Sequence, residues 1–133
     1  MGRLLAGLLL MGALLLGPCG AWAGPVEWRE VAANADGRQW WDAGSLRISK
    51  AGNLSVLSRF QPATPESLDG AQRPPASSLY VMEIDCGQEL FRDTSVNGIP
   101  QWGSGWQPAG RDDLIERTIQ AVCMAGADLL AGS

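Results

Sequence analysis

The clearest pattern in the chain is the alternation along Ser78–Cys86, which is typical of a strand with one buried face. Successive side chains of a strand point to opposite sides, so every second residue shares a face. The chain therefore predicts a strand whose last inward residue is a cysteine. Its inward face carries Tyr80, Met82, Ile84 and Cys86, and its outward face carries Leu79, Val81, Glu83 and Asp85.

Five other segments show strand patterns, and turn residues separate them. Asn, Asp and Gly recur at 34–37, 42–45 and 50–53, and these residues tolerate the backbone angles of tight turns. We expect Trp28 to point inward from the first segment. The five predicted strands are Val26–Ala32, Arg38–Asp42, Ser45–Ser49, Leu54–Phe60 and Glu89–Val96.

The stretch from Gln61 to Ala76 has four prolines and neither strand nor helix periodicity. An irregular segment of this length inside a small domain is either functional or simply mobile. We interpret it as a mobile connection, because a proline-rich linker needs no ligand to exist.

A helical period near the C-terminus predicts one amphipathic helix that begins at Asp112 or Asp113. Asp113 and Glu116 have the spacing of a capping box. Residues 125–133 either extend the helix or fray. The apolar face of the helix contains Leu114, Ile115, Thr118, Ile119 and Val122, with Cys123 at its edge.

These elements predict an α+β fold, an antiparallel sheet of five or six strands with a C-terminal helix packed on one face. Cys86 and Cys123 would then form a disulfide that fastens the helix across the Ser78–Cys86 strand. On the chain-entropy model, closing a loop of this length stabilises the fold by roughly 4 kcal/mol. Two free, buried thiols remain the alternative.

The first residues predict a secretory signal peptide over residues 1–23. Arg3 gives a positive start, the run from Leu4 to Leu16 is apolar, and Ala21-Trp22-Ala23 has the small-x-small form of a cleavage site. Residues 24–133 would then form a single domain. A retained anchor helix is one alternative. Cleavage before Cys19 with lipidation of that residue is another, although a proline just before the cut fits it poorly.

The mature chain is acidic, which limits its partners. Without Arg3, nine basic residues stand against 14 acidic ones, and no lysine or arginine cluster is present. Nucleic acid and anionic membrane surfaces are therefore poor partners, and we expect membrane contact only through the export signal.

No residue combination predicts catalysis, a metal site or a cofactor, so we expect a protein that is not an enzyme. The chain has no histidine, and a bridged cysteine pair leaves no thiolate nucleophile. The one lysine, Lys50, falls in a predicted turn. Glu83 and Asp85 share a strand face and are expected to be solvated there. Residues 93–98 lack the ligand spacing of a calcium loop.

The chain carries Trp28 followed by Val31, then Trp41-Asp42, Ser45-Leu46, Glu83-Ile84-Asp85-Cys86 and a late Cys123. In combination, these residues resemble the surface-adhesin protein E-like family. The resemblance implies a small exported bacterial domain with a PAS-like antiparallel sheet, located in the periplasm or at the outer cell surface. In the named members it implies attachment to host or matrix proteins. This sequence departs from the pattern at Trp102 and Trp106 and beyond Cys123.

Two functional hypotheses follow. The first is a non-enzymatic envelope or surface protein that binds another protein through Trp102, Trp106 and Trp41, since tryptophan is enriched at interaction hot spots. These tryptophans could equally fill the core. The second is a periplasmic PAS-like module that binds a small ligand between sheet and helix. A filled core with exposed tryptophans would favour the protein-binding hypothesis. A cavity beneath the helix would favour the small-ligand hypothesis.

Overall fold

The computed structural model describes residues 24–64, 73 and 75–132. The predicted signal peptide, Cys19, most of the proline-rich stretch from Gln61 to Ala76, and Ser133 lie outside the described residues. None of the described helices is both long and apolar enough to cross a bilayer. The strands are β1 (Trp28–Glu30), β2 (Gly37–Asp42), β3 (Arg47–Ile48), β4 (Leu54–Pro62), β5 (Ser78–Asp85), β6 (Leu90–Val96), β7 (Ile99–Pro100) and β8 (Gln107–Pro108). The helices are α1 (Asp113–Ala125) and α2 (Ala127–Ala131), and a 3-10 turn spans Ala43–Ser45.

The strands form one antiparallel sheet in the order β1-β2-β4-β5-β6-β7, with β3 beside β4 and β8 beside β6. Because β5 occupies one edge of β4, the strands β2 and β3 share its other edge. In the same way, β7 and β8 share the outer edge of β6. The predicted α+β architecture, with its antiparallel sheet and C-terminal helix, is confirmed.

The six predicted strands correspond to β1 to β6, but β7 and β8 were not predicted. Each of these two strands has only two residues, too few to show an alternation. Asn97 and Gly98 join β6 to β7 with positive φ values of 49° and 82°. Asn-Gly with this geometry is the preferred two-residue hairpin turn, so this pair is the local signal for β7.

Helix α1 packs its apolar face on one side of the sheet, as predicted. Leu114, Thr118, Ile119 and Val122 are buried, and the half-buried Ile115 packs against them. The backbone of α1 comes closest to β2 and β4 rather than lying across β5. The sheet side of this core comprises Trp41, Leu54, Val56, Met82, Ile84 and Phe91.

Trp28 does not point into this core, contrary to the prediction. It lies opposite Asp42 in the β1–β2 pair, whereas the neighbouring Trp41 faces the helix. Because faces alternate along β2, Trp28 belongs to the side of the sheet away from α1, where it is only half-buried.

The disulfide between Cys86 and Cys123 is present, with 5.8 Å between the two Cα atoms. Cys86 follows directly on β5, and Cys123 lies in the last turns of α1. The bridge therefore fastens the C-terminal part of the helix to the end of the central strand, as predicted.

The helix ends differ in detail from the prediction. Asp112, not Asp113, is the N-cap residue, and its Oδ1 accepts a hydrogen bond from the Ile115 N–H at 3.0 Å. The predicted capping box is therefore wrong by one residue, and Glu116 stands in the first turn without that role. At the other end, Gly126 separates α1 from α2, which continues to Ala131.

Breaking the disulfide should weaken the attachment of α1. We expect Cys123→Ser to lower the free energy of unfolding by roughly 2–5 kcal/mol, because the unfolded chain regains the entropy that the bridge removes. Hydrogen exchange should show α1 opening more readily than β4 and β5. The double variant with Cys86→Ser should lose no more than either single variant, and two reactive thiols in the unreduced wild-type protein would contradict the bridge.

Gly126 is required by a close approach to the sheet. A Cβ added there would lie 2.5 Å from Leu54 Cδ1, and Leu54 is fully buried. We expect Gly126→Ala to lower the free energy of unfolding by about 1–3 kcal/mol through overpacking. The matched control is Gly132→Ala, whose Cβ would come no nearer than 3.5 Å to any neighbour. Equal stabilities of the two variants in urea unfolding would contradict the packing of α1 on Leu54.

Candidate functional site

The tryptophan loop, residues 101–106 between β7 and β8, carries the most exposed large hydrophobic side chain of the described residues. Trp102 is 91% exposed. The loop is tied at its start because the Gln101 N–H donates to the Thr94 carbonyl at 3.0 Å. It is tied at its end because the Arg92 guanidinium lies 4.6 Å from the centre of the Trp106 ring. Trp102 therefore projects from a loop that is held at both ends.

The three predicted binding tryptophans do not come together. Trp106 is 37% exposed and lies in the same loop as Trp102, whereas Trp41 is 4% exposed and packs in the core beneath α1. Trp41 therefore cannot belong to an exposed binding surface. Ile99, at the start of the same segment, is well exposed and adds apolar area beside the loop.

Glu83 is not solvated as predicted, because it is 5% exposed on the face of the sheet away from α1. Arg92 donates to its Oε1 through Nε and Nη2 at 2.9 and 2.7 Å. Its Oε2 accepts from Ser49 Oγ at 2.8 Å and from Asn53 Nδ2 at 3.3 Å. The β3–β4 turn and Arg92 thus cover a carboxylate that the strand alternation alone would leave in water.

The pKa of Glu83 follows from this environment. Burial acts to raise the pKa, but the hydrogen bonds from Arg92, Ser49 and Asn53 outweigh burial and lower it below the ordinary value of 4.5. The ion pair therefore stabilises the fold while Glu83 is charged. Through Arg92, it also supports the position of Trp106 in the tryptophan loop.

A cleft of about 240 Å³ opens between the sheet and the N-terminal end of α1. It is open to solvent, and it lies where the small-ligand hypothesis requires a cavity. Its lining residues come from four strands and the start of the helix. They are Gln39, Phe60, Tyr80, Met82, Phe91, Asp93, Asp112 and Ile115.

Asp93 reaches this cleft because it lies two residues after Phe91 and pairs with Met82, both of which face α1. A β-bulge follows it in β6. Met82 pairs with Asp93 and Val81 with Ser95, so Thr94 is left without a partner residue in the register. A bulge changes which face the following residues occupy, and here it leaves both Asp93 and Val96 on the helix side. Burial raises the pKa of Asp93 above the ordinary value of 3.8.

The described part of the chain holds no group of three or more Cys, Asp or Glu side chains arranged to bind a metal ion. Lys50 lies in the β3–β4 turn, and the two cysteines of the described residues form the disulfide. The buried Asp42 could be taken for a general acid. Its carboxylate, however, has a structural role, because it accepts hydrogen bonds from the N–H groups of Glu27 and Gly44 at 2.7 and 2.9 Å.

Comparison with protein-family models matches this chain to the surface adhesin-E family over residues 29–129. The chain belongs to the surface adhesin-E family. No curated protein and no solved structure matches it. The match extends over the tryptophan loop and most of α2 of this surface adhesin-E protein. Family and disulfide together are consistent with export.

Several residues on which the sequence resemblance depends prove to be structural in this adhesin-E chain. Trp41 fills the core, and Asp42 caps the 3-10 turn that follows it. Ser45 Oγ donates to the Asp42 carbonyl and accepts from the Leu57 N–H, each at 2.8 Å, which ties that turn to β4. These residues therefore hold the fold together at the start of β4.

The Glu83–Arg92 pair should contribute to stability in a pH-dependent way. We expect Glu83→Gln to lower the free energy of unfolding by about 1–2 kcal/mol at neutral pH, because Arg92 loses its charged partner but stays 33% exposed. The folded-state pKa of Glu83 is lowered. The difference in free energy of unfolding between the wild type and Glu83→Gln should therefore be full above pH 4.5 and disappear as the pH falls through the folded-state pKa.

The matched control for this pair is Glu27→Gln, which removes an ion pair to Arg29 whose two side chains are both exposed. Exposed pairs contribute little, so we expect a change within about 0.5 kcal/mol. Urea unfolding of both variants between pH 3 and 7 provides the measurement. If the loss of stability in Glu83→Gln does not change with pH, the charge of Glu83 is not what stabilises this cluster.

Proposed function

We propose that this surface adhesin-E protein is an exported, non-enzymatic protein that attaches to other proteins through its tryptophan loop. The observation that carries the proposal is the exposure of Trp102 on a loop held at both ends. A large aromatic ring has few rotatable bonds, so it can be buried in a partner at low entropic cost. Family membership supports an adhesin-type role, and the export signal predicted from the sequence fits a protein partner outside the cell.

The partner class follows from the resemblance and from the charge of the chain. Adhesins of the resembled family attach to host or matrix proteins, and we propose the same class of partner here. The acidic chain argues against nucleic acid, and its net charge of −4 argues against an anionic membrane surface. A protein that binds such partners acts at the outer cell surface rather than in the periplasm.

Removing the Trp102 ring should therefore weaken partner binding without affecting the fold. We expect Trp102→Ala to reduce affinity for a panel of immobilised matrix and host proteins by about 30-fold, the effect of a hot spot worth about 2 kcal/mol. Its thermal unfolding should match that of the wild type, since the side chain makes little contact with the rest of the chain. Biolayer interferometry on the mature protein provides the measurement.

Two further variants complete this experiment. Trp102→Phe should retain part of the affinity, and Leu129→Ala should retain all of it, because Leu129 is 42% exposed on α2 away from the loop. If Trp102→Ala binds every responding partner as well as the wild type, the loop is not the attachment surface. If the wild-type protein binds no member of the panel, the proposed partner class is wrong.

A second candidate function is supported by the cleft beneath α1. A concave site with apolar walls and a few polar groups is the usual form of a small-molecule site. This cleft combines three aromatic side chains with Gln39, Asp93 and Asp112. The candidate function is the binding of a small ligand between sheet and helix.

A further inference from the structure

The cleft beneath α1 has aromatic walls and acidic groups, and none of the described residues that line it is basic. Phe60, Tyr80 and Phe91 contribute rings, and Asp93 and Asp112 contribute carboxylates. The faces of aromatic rings and the oxygens of carboxylates both attract positive charge. The lining therefore selects by charge as well as by shape.

Of the two carboxylates in the cleft, Asp93 is the one without a hydrogen-bonding partner among the described residues. No hydrogen bond or ion pair joins its carboxylate to another side chain or backbone group in the described parts of the chain. Glu83 lies one position beyond Met82, the partner of Asp93, and faces the other side of the sheet, where Arg92 and two further donors hold it. The same strand pair thus satisfies one carboxylate fully and leaves the other open to the cleft.

The N-terminus of α1 does not turn the cleft into an anion site. Helix N-termini carry partial positive charge and attract anions. Here, however, Asp112 occupies the cap and already accepts from the Ile115 N–H, and Asp113 and Glu116 stand in the first turn. These carboxylates offset the partial charge of the helix, so an added anion would be repelled.

We infer that this cleft binds a small organic ammonium cation, with the charged nitrogen against Asp93 and the carbon substituents against the aromatic rings. Its volume of about 240 Å³ lies below the ~300–1,000 Å³ of sites for drug-sized ligands, so the ligand is small. The inference rests on the second candidate function and adds the charge class of the ligand. It is independent of protein attachment through the tryptophan loop.

The test compares ligands of similar shape and different charge. Choline and propylamine are the cations, 3,3-dimethylbutan-1-ol is the uncharged counterpart of choline, and 3,3-dimethylbutanoate is an anion of similar shape. Each is titrated into the mature protein and followed by NMR at Tyr80, Phe91 and Ile115. We expect at least one cation to shift these resonances and to bind about tenfold or more tightly than the alcohol.

Asp93→Asn separates binding from folding. Because burial disfavours the charged form of Asp93, the variant should unfold at a higher temperature than the wild type, and this gain should grow as the pH rises above 3.8. The same variant should bind the cation about tenfold or more weakly. Asp128→Asn on α2 is the control and should bind as the wild type does.

The results of these titrations separate the cation inference from the small-ligand function. Equal binding of choline, propylamine and the alcohol, or preference for the anion, would overturn the cation inference but leave a small-ligand site in place. Binding of none of the four would overturn both the inference and the second candidate function. Shifts confined to residues outside the cleft, or unchanged affinity in a folded Asp93→Asn, would also overturn the inference.

Discussion

The packing of α1 on one side of the sheet determines both the stability of this protein and the location of its cleft. Leu114, Ile119 and Val122 are buried against the sheet, and burying each such side chain contributes roughly 1.5–3 kcal/mol. The C-terminal end of the helix is held most closely, by the disulfide at Cys123 and by the contact of Gly126 with Leu54. No such covalent link holds the N-terminal end, which begins beside the cleft. The helix therefore closes the core at one end and borders an open cleft at the other.

The face of the sheet away from α1 is stabilised by polar contacts rather than by an apolar layer. The β3–β4 turn supplies Ser49 and Asn53 to Glu83, and Arg92 completes the cluster. Arg92 also lies over the Trp106 ring. Its guanidinium therefore pairs with the Glu83 carboxylate and at the same time contacts the aromatic ring. On the same face, the guanidinium groups of Arg38 and Arg59 each lie 4.6 Å from the centre of the Trp40 ring. An acidic chain thus uses several of its arginines to position tryptophans.

The sequence allowed the fold to be predicted because the relevant signals are local. Alternation located β1 to β6, a helical period located α1, and the paired cysteines of an exported chain gave the bridge. The errors concern which face a short strand presents to the core and which distant segments cover a residue. Alternation within one strand does not reveal either. Glu83 was assigned to the correct face but is covered by a turn distant in sequence, and Trp28 was assigned to the wrong face. A cavity between sheet and helix was one of the two hypotheses, but its lining could not be predicted, because the lining residues come from β2, β4, β5, β6 and the start of α1, which are distant in sequence.

Strand β6 connects the two candidate sites, and its geometry also keeps them separate. Arg92 and Asp93 are neighbours in sequence, but their side chains point to opposite faces of the sheet. Arg92 supports the tryptophan loop on one face, whereas Asp93 lines the cleft on the other. A substitution of either side chain therefore changes one site directly and reaches the other only through the backbone of β6. A change that removed the bulge would act on one site first, since it would reverse the faces of Ser95 and Val96, which lead to the tryptophan loop, and leave the pairing of Asp93 with Met82 in place.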